Sequence, residues 1–302
     1  MMPERSPNFQ TPVKDLSIGK TLERAASLLE GQGFRTPSLD AEVLLGEALG
    51  KTRTELYAHR ELQISSHETA LFERLISMRL RKMPVAYITG KKEFMSLSFK
   101  VNPSVLIPRP ETETLVEGAL SIIHELSLRA PLLLDLGTGC GAIAASMANY
   151  LPDARITAVD ISEEALTTAR LNAEFHEVQG RITFIKSDLF SALPAGSLPF
   201  DGIISNPPYV PDEEWERLED NVRLFEPEIA LRAGRDGMDF YRRILFEYAP
   251  YLSEGGFLVF EMGLNQENGL RKLFKETGAF REIRVLNDLS GRARVIAGIG
   301  RK

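Results

Sequence analysis

The sequence predicts an α/β protein in which a small helical domain and a β-hairpin precede a mostly parallel sheet of seven strands, the last of them antiparallel. Two patterns carry this prediction. From Pro131 onward, short apolar runs alternate with amphipathic segments, as in parallel strands connected by helices. Residues 16–83 instead repeat apolar side chains at helical spacing and contain no strand signal. The predicted domains are therefore a helical domain at residues 1–84, a hairpin linker at 85–110 and an α/β domain at 111–302.

The elements of the α/β domain follow from these runs. Its apolar strand candidates are residues 132–136, 156–160, 182–187, 201–205 and 257–262. The segments with helical periodicity between or after them are residues 142–151, 163–177, 238–252 and 265–277. Residues 281–287 and 293–299, separated by turn residues, predict a closing antiparallel hairpin.

The first part of the chain contains three predicted helices. Glycines end the first two, at Gly31 and Gly50, and the third covers residues 66–82. This part contains no catalytic constellation, so we expect it to recognise or position a partner. Residues 87–107 alternate between apolar and polar side chains, which predicts the hairpin that joins the two domains.

Composition limits the class of protein. A hydrophobic content of 43% and a charged content of 26% are ordinary for a soluble globular protein. The one cysteine favours a reducing compartment, and the first 15 residues lack the apolar core of a signal peptide, so the cytoplasm is expected. No apolar run is long enough to span a bilayer. The net charge of −6 argues against direct nucleic-acid binding.

The residues Asn206, Pro207, Pro208 and Tyr209 follow a buried strand and are the first candidate site. Two successive prolines cannot continue a strand, and proline also keeps the preceding asparagine extended. The result is a stiff loop at the carboxyl edge of a sheet, where ligands of open α/β sheets bind. It presents an amide, a carbonyl and an aromatic face, which together suit a planar NH₂ group.

A glycine-rich turn after the strand at 132–136 is the second candidate site. Its spacing differs from that of dinucleotide- and phosphate-binding loops, so a diphosphate is not expected. Asp160 ends the next strand, where a carboxylate can accept both ribose hydroxyls. A sugar without phosphates beside the acidic Asp135 suggests S-adenosylmethionine, with Asp188 and Leu189 placed to meet its adenine. The cofactor-binding residues in the turn are Gly137, Thr138, Gly139, Cys140 and Gly141.

Other chemistries find less support in the sequence. The histidines lack ligand spacing with each other or with Cys140, so no metal site is expected; they are His59, His67, His124 and His176. Cys140 has no histidine nearby in sequence to activate it as a nucleophile.

These motifs resemble those of class I S-adenosylmethionine-dependent methyltransferases that act on planar amino groups. More narrowly, the sequences at residues 107–113, 225–227 and 236–241 resemble the HemK/PrmC family. The resemblance covers about residues 20–300 and implies a class I, Rossmann-like methyltransferase fold. It also implies methylation of the side-chain nitrogen (N5) of the glutamine in the Gly-Gly-Gln loop of class I peptide chain release factors, docked by the helical domain.

The implied mechanism is direct in-line transfer. Asn206 Oδ1 and the Pro207 carbonyl accept the two N–H bonds of the carboxamide, and Tyr209 packs on its plane. Asn206, Pro207 and Tyr209 are thus the predicted catalytic residues, Pro208 completes the substrate loop, and Asn206 also borders the cofactor.

Two related activities remain as alternatives, an adenine N6 methyltransferase of nucleic acid and a methyltransferase of a ribosomal-protein glutamine. A non-catalytic binding module is a third. Pro110 favours the release-factor branch of the family over the ribosomal-protein branch. The sequence leaves open the oligomeric state, the preferred release factor, the participation of the ribosome, and the roles of Arg109, Glu228 and residues 212–225.

Overall fold

The computed structural model describes residues 17–193 and 199–302 and divides the chain into two compact units, Met1–Thr89 and Gly90–Lys302. The first 15 residues, which are not expected to be a signal peptide, lie outside the described residues. Within the described ranges, no helix is long and apolar enough to cross a membrane.

The first unit is helical, as predicted. Its amphipathic segments start at side-chain caps: Ser17 accepts from the Lys20 amide, and reciprocal capping boxes at Thr52 and Ser65 start two later helices. Gly50 ends the second helix in the left-handed conformation. The helices are α1 (Ile18–Gly31), α2 (Pro37–Leu49), α3 (Arg53–Ala58), α4 (Ser66–Leu80) and α5 (Val85–Thr89). Their apolar faces enclose a core of this unit's own, which includes the fully buried Leu29, Leu44, Leu45, Leu56 and Ile76.

The predicted hairpin is shorter than expected and belongs to the second unit. Residues 85–89, the start of the predicted linker, form α5, because one helical turn satisfies their backbone groups locally. The hairpin consists of β1 (Lys91–Phe94) and β2 (Leu97–Lys100). Asn172 holds it by accepting from the Lys100 amide at 2.7 Å and donating to the Lys100 carbonyl at 3.0 Å.

The second unit contains a seven-stranded sheet, which confirms the predicted fold class. In chain order its strands are β3 (Leu132–Leu136), β4 (Arg155–Asp160), β5 (Ile182–Lys186), β6 (Phe200–Ser205), β7 (Leu252–Glu261), β8 (Phe280–Asn287) and β9 (Ala293–Arg301). Their order across the sheet is β5-β4-β3-β6-β7-β9-β8, and β9 runs antiparallel to both of its neighbours.

The helices of this unit precede the sheet or connect its strands. They are α6 (Pro110–Glu125), α7 (Ala142–Tyr150), α8 (Glu163–Phe175), α9 (Asp220–Arg223), α10 (Asp239–Glu247) and α11 (Glu267–Thr277). The sequence prediction extended α10 to residue 252, but Pro250 cannot continue a helix, and a short 3-10 turn, Ala249–Tyr251, takes over. As a result β7 begins at Leu252, five residues before its predicted start at 257.

The order of the strands creates a cleft. From β3 the chain winds outward through β4 and β5, then crosses back to β6 on the other side of β3. The connections after β3 and β6 therefore diverge, and the carboxyl edge opens between them. The sheet below is apolar and fully buried at Leu134, Leu136, Ile203 and Leu258, so the edge rests on a rigid base.

Candidate active site

One cavity lies at this carboxyl edge and brings together residues from several strand ends. Of the predicted site residues, its walls contain Gly137, Gly139, Asp160, Asp188, Leu189, Asn206, Pro207 and Pro208. Four of the predicted residues do not line it, namely Thr138, Cys140, Gly141 and Tyr209. Parallel strands end at a common edge, so residues far apart in sequence become neighbours here.

The glycine turn after β3 requires glycine for two different reasons. Gly137, Gly139 and Gly141 all have positive φ angles, of 74°, 55° and 80°, which strain other residues. A Cβ at Gly137 or Gly139 would meet nothing within 4 Å, so the turn leaves open space beside its backbone. At Gly141 a Cβ would lie 3.0 Å from the Cβ of Ala169, so this glycine allows α7 to pack closely on α8.

Asp160 ties the end of β4 to that turn. Its Oδ2 accepts from the Gly139 amide at 2.8 Å, and its Oδ1 accepts from the Ser162 amide at 2.9 Å. Burial raises the pKa of Asp160, and these backbone hydrogen bonds oppose the rise. Each carboxylate oxygen can accept more than one hydrogen bond, so Asp160 keeps capacity to bind hydroxyl groups.

Thr138 and Cys140 belong to the turn but do not line the cavity. The Thr138 hydroxyl donates to Asp135 Oδ2 at 2.6 Å, and burial raises the pKa of Asp135 to about 7. Cys140 is buried, and its burial raises the pKa of the thiol to about 12. A thiol that stays protonated is a poor nucleophile, so Cys140 is not suited to covalent catalysis.

Asp188 lies on the cavity wall and already has a partner. Its Oδ2 is 2.9 Å from Nη2 of Arg243, a residue of α10 that also lines the cavity. Both side chains are more than two-fifths exposed, so the pair contributes little stability. Leu189 beside it has a positive φ of 50°, and the Ser187 hydroxyl holds its carbonyl at 2.7 Å. The sequence analysis missed Arg243, which no local pattern distinguishes from Arg242, the neighbouring arginine of α10.

Asn206 follows β6 and is held by a neighbouring helix. Its Nδ2 donates to Oγ1 of Thr112, in the first turn of α6, at 3.2 Å. Thr112 in turn donates to Oε2 of the buried Glu261, at the end of β7, at 2.5 Å. Glu261 Oε1 accepts from the Tyr209 hydroxyl at 3.2 Å. Tyr209 is half-buried. Hydrogen bonds through Glu261 and Thr112 connect its hydroxyl to the Asn206 side chain.

Backbone contacts hold the loop after Asn206 on its other side. The amides of Tyr209 and Val210 both donate to the Leu231 carbonyl, at 3.1 and 2.8 Å. Gln266 Nε2 donates to the carbonyls of Tyr209 and Gly237, at 3.0 and 3.1 Å. The sequence at 236–241 therefore supports the loop, and a Cβ at Gly237 would stand only 2.4 Å from the Tyr209 carbonyl oxygen. The sequence analysis missed Gln266, because no local pattern indicates that its side chain contacts this loop.

Arg109 joins two of the other motifs. Its Nη2 is 2.5 Å from Oε1 of Glu226, whose side chain is almost completely buried, and Glu226 Oε2 accepts from the Ile107 amide at 3.1 Å. This pair ties residues 107–113 to residues 225–227. Glu228 is exposed and pairs with Arg232 at 2.6 Å. Neither Arg109 nor Glu228 is among the residues that line the cavity.

The sheet order, the antiparallel last strand, the glycine turn after β3 and the acidic residue ending β4 together define a class I methyltransferase. The second unit is a methyltransferase of this class, and a family model described as methyltransferase small domain matches residues 114–223. Residues 20–90 match a model described as PrmC N-terminal domain.

Relatives that cover nearly the whole chain give the narrower family. A release factor glutamine methyltransferase from Moorella thermoacetica is 40% identical over 92% of this chain and 97% of its own length. One of the same description from Rhodopirellula baltica is 38% identical over 93% of this chain and 95% of its own. The chain belongs to the release factor glutamine methyltransferase family. Among solved structures, the hMettl16 catalytic domain in complex with an RNA hairpin matches with a TM-score of 0.56, over 76% of this chain and 82% of that one. At 14% identity this likeness shows the fold alone.

Proposed function

We propose that this protein transfers a methyl group from S-adenosylmethionine to the side-chain N5 of the glutamine in the Gly-Gly-Gln loop of class I peptide chain release factors, in the cytoplasm. The observation that carries the proposal is the orientation of the Asn206 carboxamide. Its Nδ2 donates to Thr112, so Oδ1, which has no hydrogen-bond partner among the described residues, is the end of the carboxamide available in the cavity beside the glycine turn. An acceptor at that point suits an NH₂ group.

The cavity fits the cofactor along the ends of β3, β4 and β5, with Asn206 at its border. Open space beside Gly137 and Gly139 lets a ligand approach the backbone closely, and Asp160 would accept the ribose hydroxyls. Asp188 and Leu189 would hold the adenine. When bound, S-adenosylmethionine supplies a methyl group activated by its sulfonium charge.

The protein's own residues orient the nucleophile. An amide nitrogen is a poor nucleophile because its lone pair is delocalised into the carbonyl. Asn206 Oδ1 and the Pro207 carbonyl would accept its two N–H bonds, which aims the nitrogen and stabilises positive charge as it develops there. Tyr209 would pack on the amide plane, and the proton leaves afterwards to water. This route requires no metal and no covalent intermediate.

The choice of substrate rests on the family and on the shape of a glutamine. A glutamine side chain is short, so its backbone must come close to the loop at Asn206, and two preceding glycines keep that backbone bare. The relatives that cover this chain are described as acting on release factors. The choice of one class of protein substrate over another then depends on a second contact, which we assign to the helical unit.

A methyl-transfer assay with purified class I release factor, labelled cofactor and the Asn206→Ala variant tests the proposal. We expect one methyl group on the glutamine of the Gly-Gly-Gln loop, and no label on a release factor whose glutamine is alanine. Asn206→Ala should bind the cofactor normally but turn over about 100-fold more slowly, as when other preorganised polar groups are removed. Label on adenine in nucleic acid, with none on the release factor, would contradict the proposal.

A further inference from the structure

We propose that Thr112 and Glu261 are positioning residues that set the orientation of the Asn206 carboxamide, so that its oxygen and not its NH₂ group faces the substrate. The inference rests on the proposed function, in which Asn206 Oδ1 accepts a hydrogen bond from the substrate amide. It assigns a role to Thr112, in the motif at residues 107–113, and to the buried carboxylate that ends β7.

The need for such residues follows from the chemistry of asparagine. The two ends of a carboxamide have nearly the same shape, but one accepts hydrogen bonds and the other donates them. The substrate NH₂ group is a donor whose lone pair is delocalised. An Asn206 turned the other way round would set donors against donors, and the substrate nitrogen would lose both its aim and its charge stabilisation. Something must therefore select one of the two orientations.

A hydroxyl alone cannot make that selection, because it both donates and accepts. Thr112 Oγ1 lies 3.2 Å from Asn206 Nδ2 and could in principle serve either end of the amide. Its single hydrogen, however, is directed to Glu261 Oε2 at 2.5 Å. An ionised carboxylate only accepts, so Thr112 can present only lone pairs to Asn206. Glu261 thereby fixes the direction of both hydrogen bonds, each of which is donated toward it, and Asn206 Oδ1 is left without a partner among the described residues.

The fold places Glu261 where it can orient the Thr112 hydroxyl and, through it, the Asn206 carboxamide. Ser205 on β6 pairs with Phe260 on β7, so the chain reaches Asn206 and Glu261 at the same level of the sheet. Thr112 and Glu261 are both buried, so water does not compete for their hydrogen bonds. The other carboxylate oxygen, Oε1, accepts from the Tyr209 hydroxyl, so one carboxylate positions both ends of the substrate loop.

Burial favours the neutral form of Glu261, and three neighbouring groups partly oppose this effect. Burial raises the pKa of Glu261 to about 7, while the hydrogen bonds from Thr112 and Tyr209 and the charge of Arg294 on the adjacent β9 lower it, and Glu111 adds a smaller upward push. The charged carboxylate, which can only accept, is therefore the main form above about pH 7.

Three substitutions test the inference in the full-length enzyme. Thr112→Val keeps the shape and removes the hydroxyl, and Thr112→Ser keeps the hydroxyl. Thr277→Val is the matched control, because the Thr277 hydroxyl likewise donates one hydrogen bond and accepts one, but its partners are backbone groups at the end of α11, away from Asn206. We expect Thr112→Val to lower kcat by about 10- to 100-fold, with the cofactor Kd within about twofold of wild type. Thr112→Ser and Thr277→Val should retain near wild-type kcat.

The decisive measurement combines Thr112→Val with Asn206→Ala. If Thr112 acts through Asn206, the double variant turns over no more slowly than Asn206→Ala alone. A residue that only stabilises the fold would multiply the loss, and that result would overturn the inference. A Thr112→Val enzyme with wild-type kcat, beside an impaired Asn206→Ala, would also overturn it while leaving the proposed function intact. Wild-type turnover by Asn206→Ala would instead remove the proposed role of Asn206 and the inference together.

Discussion

At the scale of single residues, the site depends on carboxylates whose surroundings differ. Asp160 lines the cavity and accepts from two backbone amides, which ties this part of the cavity to the shape of the glycine turn. Glu261 and Asp135 are fully buried, and burial raises the pKa of each to about 7. The first carboxylate is suited to bind a ligand, whereas the other two position neighbouring side chains.

We expect Asp160→Ala to weaken cofactor binding by about 10- to 150-fold, because charge-assisted hydrogen bonds to hydroxyls contribute roughly 1.5–3 kcal/mol. Isothermal titration of the variant with S-adenosylmethionine measures this, and its thermal melting shows whether the fold persists. An exposed acidic residue on the following helix, Glu163, provides the control as Glu163→Ala. Equal cofactor affinity in the Asp160 variant and wild type would remove Asp160 from the site.

Glu261 gives a prediction for stability against pH. Its pKa is about 7 in the folded protein and 4.5 by its ordinary value, so between these values the folded state binds more protons than the unfolded state. The free energy of unfolding therefore falls as pH rises from about 4.5 to 7, by up to about 3 kcal/mol from this group. Glu261→Gln lacks this dependence.

Denaturant unfolding of both proteins at about pH 4 and pH 8 checks the sign. Relative to Glu261→Gln, the wild type should be less stable at the higher pH than at the lower. The matched control is Glu254→Gln, at an exposed position of the same strand. A wild type that gains stability over Glu261→Gln as pH rises would contradict the assignment.

At the scale of elements, the loop after β6 is held by segments that follow it in the chain. The residues at 236–241 lead into the first turn of α10, and Gln266 immediately precedes α11. Gln266 donates to the carbonyls of Tyr209 and Gly237, so hydrogen bonds connect the loop after β6 to the segments that lead into α10 and α11. Rigidity matters because a small displacement of a positioning group costs much of its contribution to rate.

Substitution of two glycines separates backbone strain from contact with this loop. Gly237 and Gly255 have nearly equal positive φ angles, of 72° and 76°, but only at Gly237 would a Cβ meet the Tyr209 carbonyl oxygen, at 2.4 Å. We expect Gly255→Ala to cost about 1–2 kcal/mol of stability and to leave kcat unchanged. Gly237→Ala should cost about 2–4 kcal/mol and lower kcat roughly tenfold. Equal effects of the two substitutions on kcat would show that the contact does not position the loop.

At the scale of the whole molecule, the chain consists of two units with separate tasks in the proposed function. The second unit contains the cavity and every residue of the proposed site, and its core surrounds the sheet. The first unit has its own apolar core and matches a family model of its own. A loop that enters a narrow cavity offers little area, whereas a typical stable interface buries about 800 Å² per partner. We therefore assign the additional contact with the release factor to the helical unit.

Deleting residues 1–89 tests this division. We expect the KM for intact release factor to rise at least about tenfold, because the second contact is lost. The kcat and KM for a short Gly-Gly-Gln peptide should stay within about twofold, and this peptide is the internal control for folding of the truncated enzyme. A truncated enzyme that methylates intact release factor as efficiently as the full chain does would contradict the assignment.

The sequence by itself determined the fold class and the residues at the strand ends. Each of these signals is local: glycines with positive φ must follow β3, two prolines must stop β6, and Asp160 must end β4. Because parallel strands end at one edge of a sheet, those local signals sufficed to place Asp160, Asp188 and Asn206 around one cavity. Local signals did less well where two structures compete for the same residues, as at α5, or where a proline ends a helix early, as at Pro250.

Only the tertiary structure decided which side chains hold the site. Thr112 lies 94 residues before Asn206, and Arg109 lies 117 residues before Glu226. Arg243 meets Asp188 across 55 residues, and Gln266 meets Tyr209 across 57. Such pairs have no spacing that repeats with a helix or a strand, so no pattern in the chain marks them. They exist because the sheet and its helices bring these atoms within hydrogen-bond distance, and where the pair is buried, as at Glu226, water does not compete for the hydrogen bond.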